Sequence, residues 1–153
     1  MWDQKKNAGA AKGWKHTMAD TLRVKDVMTK GVRVTGPDSS VKEVVATMNR
    51  FNIGSIIVVQ DNRPVGMISE RDVLRRVVEP CLSPETIEAR QIMTHPVITI
   101  CESASVAEVV KIMAEKRVRK IPVMKKEKLV GIITYTDILS KVLNMISLLG
   151  DLV

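Results

Sequence analysis

The chain consists largely of two copies of one sequence pattern, related by a constant offset of 65 positions. Val27-Met28-Thr29 returns as Ile92-Met93-Thr94, and the match needs no gap over residues 27–74 of the first copy and 92–139 of the second. About a third of the paired positions are identical. A repeat of this length is one supersecondary unit that buries its apolar face against a neighbour. The repeat therefore predicts a pseudo-symmetric pair with two equivalent clefts between the copies.

The spacing of apolar residues predicts the order strand, helix, strand, strand, helix in each copy. In the first copy, Ser40 precedes a helix whose apolar residues follow the i, i+3, i+4, i+7 pattern. Residues 53–59 form a nearly continuous apolar run, typical of a strand covered on both faces. We expect a mixed α/β (α+β) fold in which two β-α-β-β-α units pack as an intramolecular pair. The elements of the second copy are predicted at 97–100, 105–116, 119–124, 129–133 and 134–143.

Composition shifts along the chain predict five segments. The segments are a flexible N-terminal extension at 1–21, a first unit at 22–79, a linker at 80–90, a second unit at 91–143 and a helical C-terminal extension at 144–153.

The last helix carries an apolar stripe at helical spacing that extends into the C-terminal segment. A stripe of this kind packs on its own domain or on a second subunit, and we favour the second subunit, that is, a homodimer. The stripe consists of Leu139, Val142, Leu143, Ile146 and Leu149.

Composition places the chain among globular proteins and limits its partners. Only 3% of the residues are aromatic, so Val, Ile, Leu and Met must form the core. The net charge of +7 favours anionic partners, which include nucleotide phosphates, RNA and anionic membranes. No apolar run approaches the roughly 18 residues of a membrane span, and no secretory signal opens the sequence. We expect a cytoplasmic protein with no membrane span.

The residues that usually perform catalysis are sparse and scattered. Cys81 and Cys101 match no paired spacing, which predicts free thiols rather than a disulfide or a metal site. His16 and His95 are isolated, and no nucleophile-base pair or phosphate-binding loop is recognisable. We therefore expect a protein that is not an enzyme and that holds neither a catalytic cofactor nor a metal.

The junction between the third strand and the second helix carries a hydroxyl residue and an acid three positions later. Ser69 and Asp72 have this spacing in the first copy, and Thr134 and Asp137 have it in the second. One interpretation is a helix cap, in which the hydroxyl and the acid satisfy backbone amides reciprocally. The same spacing opens the other two helices, so the pattern alone is weak support for a binding site. Those helix starts are Ser40-Val41-Lys42-Glu43 and Ser105-Val106-Ala107-Glu108.

The context of the Asp72 and Asp137 junctions adds a second interpretation. Each follows a glycine-containing strand and presents a helix N-terminus toward the expected cleft. A helix N-terminus attracts an anion, and a carboxylate beside it can accept both hydroxyls of a ribose. Those groups are the ones that an adenosine phosphate requires.

The two gapless copies, each with glycine, two apolar residues and Ser/Thr-x-x-Asp, resemble a cystathionine β-synthase (CBS) domain pair, also called a Bateman module. The resemblance covers about residues 22–143. It implies two units packed head to head around a central cleft. It also implies regulatory binding of an adenosyl compound such as AMP, ADP, ATP or S-adenosylmethionine.

The resemblance also assigns candidate ligand-binding residues. Asp72 and Asp137 match the residue that grips the ribose hydroxyls, and Lys120 matches a position often directed at phosphate. The first predicted cleft comprises Val34, Ile53, Ser69, Arg71 and Asp72. The second comprises Thr99, Val118, Arg119, Lys120, Thr134, Thr136 and Asp137.

The two copies differ at positions that face phosphate in the resemblance. Arg119-Lys120 of the second copy replace Gly54-Ser55 of the first, whereas Arg71 of the first copy becomes Thr136. A basic side chain adds a charge-assisted contact to phosphate. We therefore expect unequal clefts, with the Asp137 cleft the stronger phosphate binder.

Residues 115–128 contain seven basic residues and two acids, which leaves three interpretations. They form a solvated rim, a phosphate-attracting cleft edge or an RNA-binding strip. The sequence favours an adenosyl-nucleotide sensor that signals to an unknown effector protein through a shift of its two units. The alternative is a nucleic-acid-binding or scaffolding protein with vestigial CBS sites.

Overall fold

The computed structural model describes residues 18–150 of the chain, and the side chains within residues 20–148. Most of the predicted flexible N-terminal extension, residues 1–17, lies outside the described residues. The side chain of Leu149 lies outside them as well.

The first unit has the predicted order of elements. A short helix, α1 (Met18–Thr21), and a 3₁₀ turn (Val24–Asp26) precede it, and its second helix continues into a π-helical turn at Leu74–Val78. Ser40 caps α2 (Val41–Arg50), as its position before the apolar stripe predicts. The elements are α1 (Met18–Thr21), β1 (Val34–Thr35), α2 (Val41–Arg50), β2 (Ser55–Gln60), β3 (Arg63–Ser69) and α3 (Glu70–Val73).

The second unit repeats this order, which confirms the predicted mixed α/β architecture. Its last helix runs well past the point where the matching helix of the first unit ends. The elements are α4 (Ala89–Ile92), β4 (Ile100–Cys101), α5 (Val106–Lys116), β5 (Lys120–Lys125), β6 (Lys128–Thr134) and α6 (Tyr135–Gly150).

Each unit contains a three-stranded sheet with the same topology. In the first sheet β2 lies in the centre, parallel to β1 and antiparallel to β3. In the second sheet β5 takes the same place between β4 and β6. The antiparallel ladders shift register at matching positions, Val58/Val59 and Val123/Met124. The offset of 65 residues is therefore preserved down to the irregularities of the sheets.

The start of each copy packs in the core of the other unit. We call residues 23–29 the first lead segment and residues 88–94 the second lead segment. Val24, which is fully buried, belongs to the core of the second unit, and its amide donates to Ala104 O at 3.0 Å. Ile92 belongs to the core of the first unit. The packed units therefore exchange their lead segments.

The exchanged segments also extend the sheets. Thr29 pairs with Ile132 of β6 through two backbone hydrogen bonds of 2.9 and 3.0 Å. Thr94 pairs with Met67 of β3 through bonds of 2.8 and 3.1 Å. Both pairings join segments far apart in sequence, so each unit is completed by the chain that precedes the other one.

Two glycines allow the lead segments to approach the strands closely. Gly131 lies beneath Met28, and a Cβ at Gly131 would stand 2.8 Å from Met28 Sδ and 2.8 Å from the carbonyl oxygen of Thr29. Gly66 lies in the same way beneath Met93. A side chain at either glycine would overlap the segment that covers it, which accounts for the repeated glycine in β3 and β6.

Contacts at both ends of the sheets join the two units. Arg63 Nη2 lies 2.7 Å from Glu127 Oε1 at the hairpin turns, in an exposed ion pair that contributes little to stability. At the opposite ends of the strands, Lys120 Nζ donates to Ser55 Oγ at 3.1 Å. The first unit and the second unit are thus in contact at both ends of their hairpins.

The apolar stripe of α6 is exposed rather than packed on its own domain. Leu139, Val142, Leu143 and Ile146 expose between 41% and 59% of their surface. Within the described residues, no helix combines the length and the apolarity that a membrane crossing requires.

Candidate ligand-binding site

The junction after β3 holds Asp72 in a compact hydrogen-bonded arrangement. Asp72 Oδ2 accepts from the backbone amide of Ser69 at 2.8 Å and from the Ser69 hydroxyl at 2.7 Å. The Asp72 amide donates in turn to Ser69 Oγ at 3.3 Å. One carboxylate oxygen is therefore committed to the start of α3.

The junction after β6 has the same arrangement around Asp137. Asp137 Oδ2 accepts from the Thr134 amide at 3.0 Å and from the Thr134 hydroxyl at 2.7 Å. The Asp137 amide donates to Thr134 Oγ1 at 3.1 Å. The geometry confirms the capping interpretation at both junctions.

The other helix starts separate the cap from any additional role. Ser40 and Glu43 cap α2 reciprocally, with the Ser40 amide donating to Glu43 Oε2 at 2.9 Å. At α5, Ser105 accepts from the Glu108 amide at 3.2 Å. Asp72 and Asp137 differ from Glu43 in what their remaining carboxylate oxygen contacts.

That remaining oxygen faces the lead segment that covers the junction. Asp72 Oδ1 accepts from the Thr94 hydroxyl at 3.2 Å, and Asp137 Oδ1 accepts from the Thr29 hydroxyl at 3.5 Å. Sequence reasoning assigned no role to either threonine. The available signal was the repeated Met-Thr pair, but its partner lies 22 or 108 residues away and became visible only in the fold.

Two clefts lie between the units, as the repeat predicts. Cleft A, of about 490 Å³, is bounded by Val34 and Val59 of the first unit and by residues 128–130 of the second. Cleft B, of about 530 Å³, is bounded by Thr99 and the end of β5 in the second unit, and by the start of β3 in the first. The two clefts are related by the 65-residue offset, since each combines one unit's first strand with the other unit's hairpin.

The predicted cleft residues fall into two groups. Val34 and Thr99 line clefts A and B, while the Ser/Thr-x-x-Asp junctions lie at the far ends of β3 and β6 from the hairpin turns. Strand spacing and rise place Ser69 roughly 12 Å from Val34, two strands across and two residues along. Each unit therefore carries a line of predicted residues along one sheet rather than a single compact cluster.

The remaining predicted residues are placed differently from one another. Ile53 and Val118 are half-buried and pack against the first and second cores. Arg71 and Thr136 are exposed on the first turns of their helices. Their assignment to a ligand stays a prediction.

Two basic residues of the second unit point to different places. Lys120, which the sequence groups with Asp137, directs its ammonium to Ser55 of the first unit. Arg119 is exposed and lines a third hollow of about 590 Å³, together with Val118 and Tyr135. Lys120 therefore lies at the boundary between the units.

The family of the chain follows from comparison with known proteins. The CBS domain model matches twice, at residues 24–79 and 89–144, and so covers most of the chain. The chain belongs to the CBS domain family. In many relatives the CBS pair is a regulatory, ligand-binding module.

Individual relatives support the same assignment. An uncharacterized protein of Methanopyrus kandleri is 36% identical over 121 residues, which is 78% of this chain and 62% of that protein. This CBS chain thus spans about three fifths of that relative's length. The crystal structure of an uncharacterized conserved protein from Pyrococcus horikoshii has a TM-score of 0.73 and 34% identity, covering 81% of this chain and 94% of the other.

A second solved structure is an assembly. The hexameric CBS-CP12 protein from bloom-forming cyanobacteria has a TM-score of 0.72 and 28% identity, and the match covers 78% of this chain and 71% of that chain. CBS pairs similar to this chain therefore occur in oligomers.

Proposed function

We propose that this CBS pair is a regulatory module that binds adenosyl nucleotides, of the AMP, ADP, ATP or S-adenosylmethionine type, and is not an enzyme. The observation that carries the proposal is the matched geometry of Asp72 and Asp137. Each carboxylate gives Oδ2 to the helix cap and turns Oδ1 toward a threonine hydroxyl of the covering lead segment. A ribose offers hydroxyl donors of the same kind, which would replace or join that threonine.

The surroundings of the junctions support an anionic ligand. Lys120 at the boundary between the units and Arg119 beside it supply positive charge, and the chain as a whole carries +7. A phosphate would gain a charge-assisted contact from the Lys120 ammonium in exchange for the neutral hydroxyl of Ser55.

The exchange of lead segments provides a route from binding to signal. A ligand on Asp137 contacts an oxygen that the first lead segment also contacts, through Thr29. Binding would therefore favour one arrangement of the lead segment over another, and differential affinity for two arrangements is what a sensor needs. The output passes to an effector protein of unknown identity.

The exposed stripe of α6 supports self-association into a homodimer of CBS pairs, as does the oligomeric state of the cyanobacterial relative.

Cys81 and Cys101 are exposed free thiols, which fits a reducing compartment, so we place the protein in the cytoplasm.

The test is a thermal-shift and titration experiment with AMP, ADP, ATP and S-adenosylmethionine. A ligand at 100 times its dissociation constant adds about 2.7 kcal/mol to the free energy of unfolding, which raises the melting temperature by a few degrees for a domain of this size. Asp137→Asn should remove most of that shift. Glu43→Gln is the matched control, because it weakens a helix cap of the same geometry away from the junctions and should leave binding intact.

Two results would contradict the proposal. The first is an unchanged melting temperature with all four compounds. The second is that none of the four compounds binds while RNA binds with an affinity that falls steeply with salt, which would favour the nucleic-acid alternative.

A further inference from the structure

Asp72 and Asp137 occupy equivalent positions, but within the described residues a cation stands only beside Asp72. Arg76 lies one helical turn after Asp72, and its Nη1 is 3.9 Å from Asp72 Oδ1. The same oxygen accepts the Thr94 hydroxyl at 3.2 Å. Since Ser69 already occupies Oδ2, both oxygens of Asp72 are engaged by the protein itself.

The guanidinium of Arg76 is held in this place by the second lead segment. Its Nη1 donates to the carbonyl oxygen of Ile92 at 2.6 Å and to that of Met93 at 2.9 Å. Charge-assisted hydrogen bonds of this length are among the stronger ones in proteins. Arg76 cannot leave Asp72 without also leaving two backbone carbonyls.

The second unit has Lys141 at the position of Arg76. In the part of the chain that the structure describes, the Lys141 ammonium makes no hydrogen bond and no ion pair. Asp137 Oδ1 has the Thr29 hydroxyl at 3.5 Å, which is at the outer limit of a hydrogen bond. Asp137 Oδ1 is therefore more available to accept a ligand hydroxyl than Asp72 Oδ1, which lies closer to its threonine and beside Arg76.

We propose that Arg76 lowers the affinity of the Asp72 junction for an adenosyl ligand and so makes the Asp137 junction the principal site. This inference rests on the proposed function. A ribose that approaches Asp72 must compete with the Thr94 hydroxyl for Oδ1, beside a fixed guanidinium whose Nη1 lies 3.9 Å away. At Asp137 it competes with one long hydrogen bond. Arg76 is a positioning residue, since it acts through the carboxylate of Asp72.

The repeat itself supplies the experiment, an exchange of the two side chains. Arg76→Lys installs the residue of the second unit in the first, and Lys141→Arg does the reverse. Calorimetric titration of the full chain with AMP measures affinity and stoichiometry, and Asp72→Asn and Asp137→Asn assign each heat to its junction. In the unmodified chain, AMP should bind tightly at the Asp137 junction only.

The two substitutions should change the affinity for AMP in opposite directions. Arg76→Lys should strengthen AMP binding at the Asp72 junction by about tenfold, and Lys141→Arg should weaken it at the Asp137 junction by about as much. Lys141→Arg removes no contact, so it tests the inference even if Arg76→Lys impairs folding. 2′-Deoxy-AMP is the control ligand. If a substitution acts through the ribose, its effect on affinity should be smaller for this ligand, which lacks one hydroxyl. A general structural effect would change the affinity for both ligands equally.

Each remaining outcome is decisive. Equal AMP affinity at the two junctions of the unmodified chain, or exchanges that change neither junction, would overturn the role of Arg76 and leave the proposed function standing. Failure of AMP, ADP, ATP and S-adenosylmethionine to bind any of these proteins would overturn both.

Discussion

In the first unit an arginine that also binds the second lead segment lies beside the junction carboxylate. The lysine at the equivalent position of the second unit pairs with no residue that the structure describes. The backbones of the two junctions nevertheless match hydrogen bond for hydrogen bond. The helix cap and the closely packed glycine fix the backbone in both units, because both are local requirements of the fold. A side chain one turn further along the helix is under neither requirement and is free to diverge.

The same comparison applies to the lead segments, which complete the two cores to different extents. Ile92 of the second lead segment exposes 2% of its surface in the first core, while its counterpart Val27 is only half-buried against the second core. The first unit thus depends more on the segment that it receives at this position.

Ile92→Ala should therefore have the largest effect on stability. We expect a loss of about 3 kcal/mol in the free energy of unfolding, within the usual range for a buried isoleucine. Val27→Ala should cost about 1 kcal/mol, because the side chain is smaller and less buried. Urea denaturation followed by circular dichroism measures both, and the exchanged segments predict one cooperative transition for the whole pair. Equal losses, or two separate transitions, would show that the lead segments do not complete the cores as described.

The glycines beneath the lead segments differ in what surrounds them. Gly131→Ala should destabilise the protein by about 2 kcal/mol, because the new Cβ would meet the backbone carbonyl of Thr29 as well as the Met28 side chain. Gly66→Ala should cost less, since the three atoms nearest to the new Cβ all belong to the side chain of Met93, which is flexible. The measurement is again the urea midpoint at constant slope.

Double variants separate the side-chain overlap at each glycine from the backbone overlap. Adding Met93→Ala should recover part of the loss caused by Gly66→Ala, because it removes the atoms in the way. Adding Met28→Ala to Gly131→Ala should recover less, since the Thr29 carbonyl remains. Equal recovery in both pairs would mean that the backbone contact at Gly131 is relieved by a small shift of the first lead segment.

The order of elements could be predicted from the sequence because it depends on local periodicity. Ser40 and the apolar stripe after it define α2, and the offset of 65 residues carries the same interpretation to α5. The exchange of lead segments could not be predicted in this way. Val24 meets Ala104 across 80 residues, and no local pattern encodes so distant a pairing.

The candidate site could be predicted from the sequence to about the same extent as the fold. A helix cap is one of the two interpretations that the sequence offers for the hydroxyl and acid of each junction, and the structure confirms the cap. The threonines on Oδ1 and the arginine beside Asp72 were not predicted, since they depend on the lead segment and on side-chain direction. Lys120 was grouped with its own repeat because the offset compares positions in sequence, whereas its ammonium contacts Ser55 of the other unit.

The smallest expected effect concerns the cysteine of the second unit. Hydrogen bonding from the Ser103 hydroxyl, at 3.2 Å from Cys101 Sγ, lowers the pKa of the Cys101 thiol, and the backbone of Ser103 acts in the same direction. A lowered pKa enlarges the thiolate fraction at a given pH, and the thiolate is the reactive form. In a Cys81→Ser background, alkylation of Cys101 should therefore persist to lower pH than in the same protein with Ser103→Ala. Identical pH profiles of alkylation in the two proteins would show that the Ser103 hydroxyl does not hydrogen-bond to the Cys101 sulfur. Cys101 lines cleft B together with Thr99, so the experiment reports on that side of the cleft.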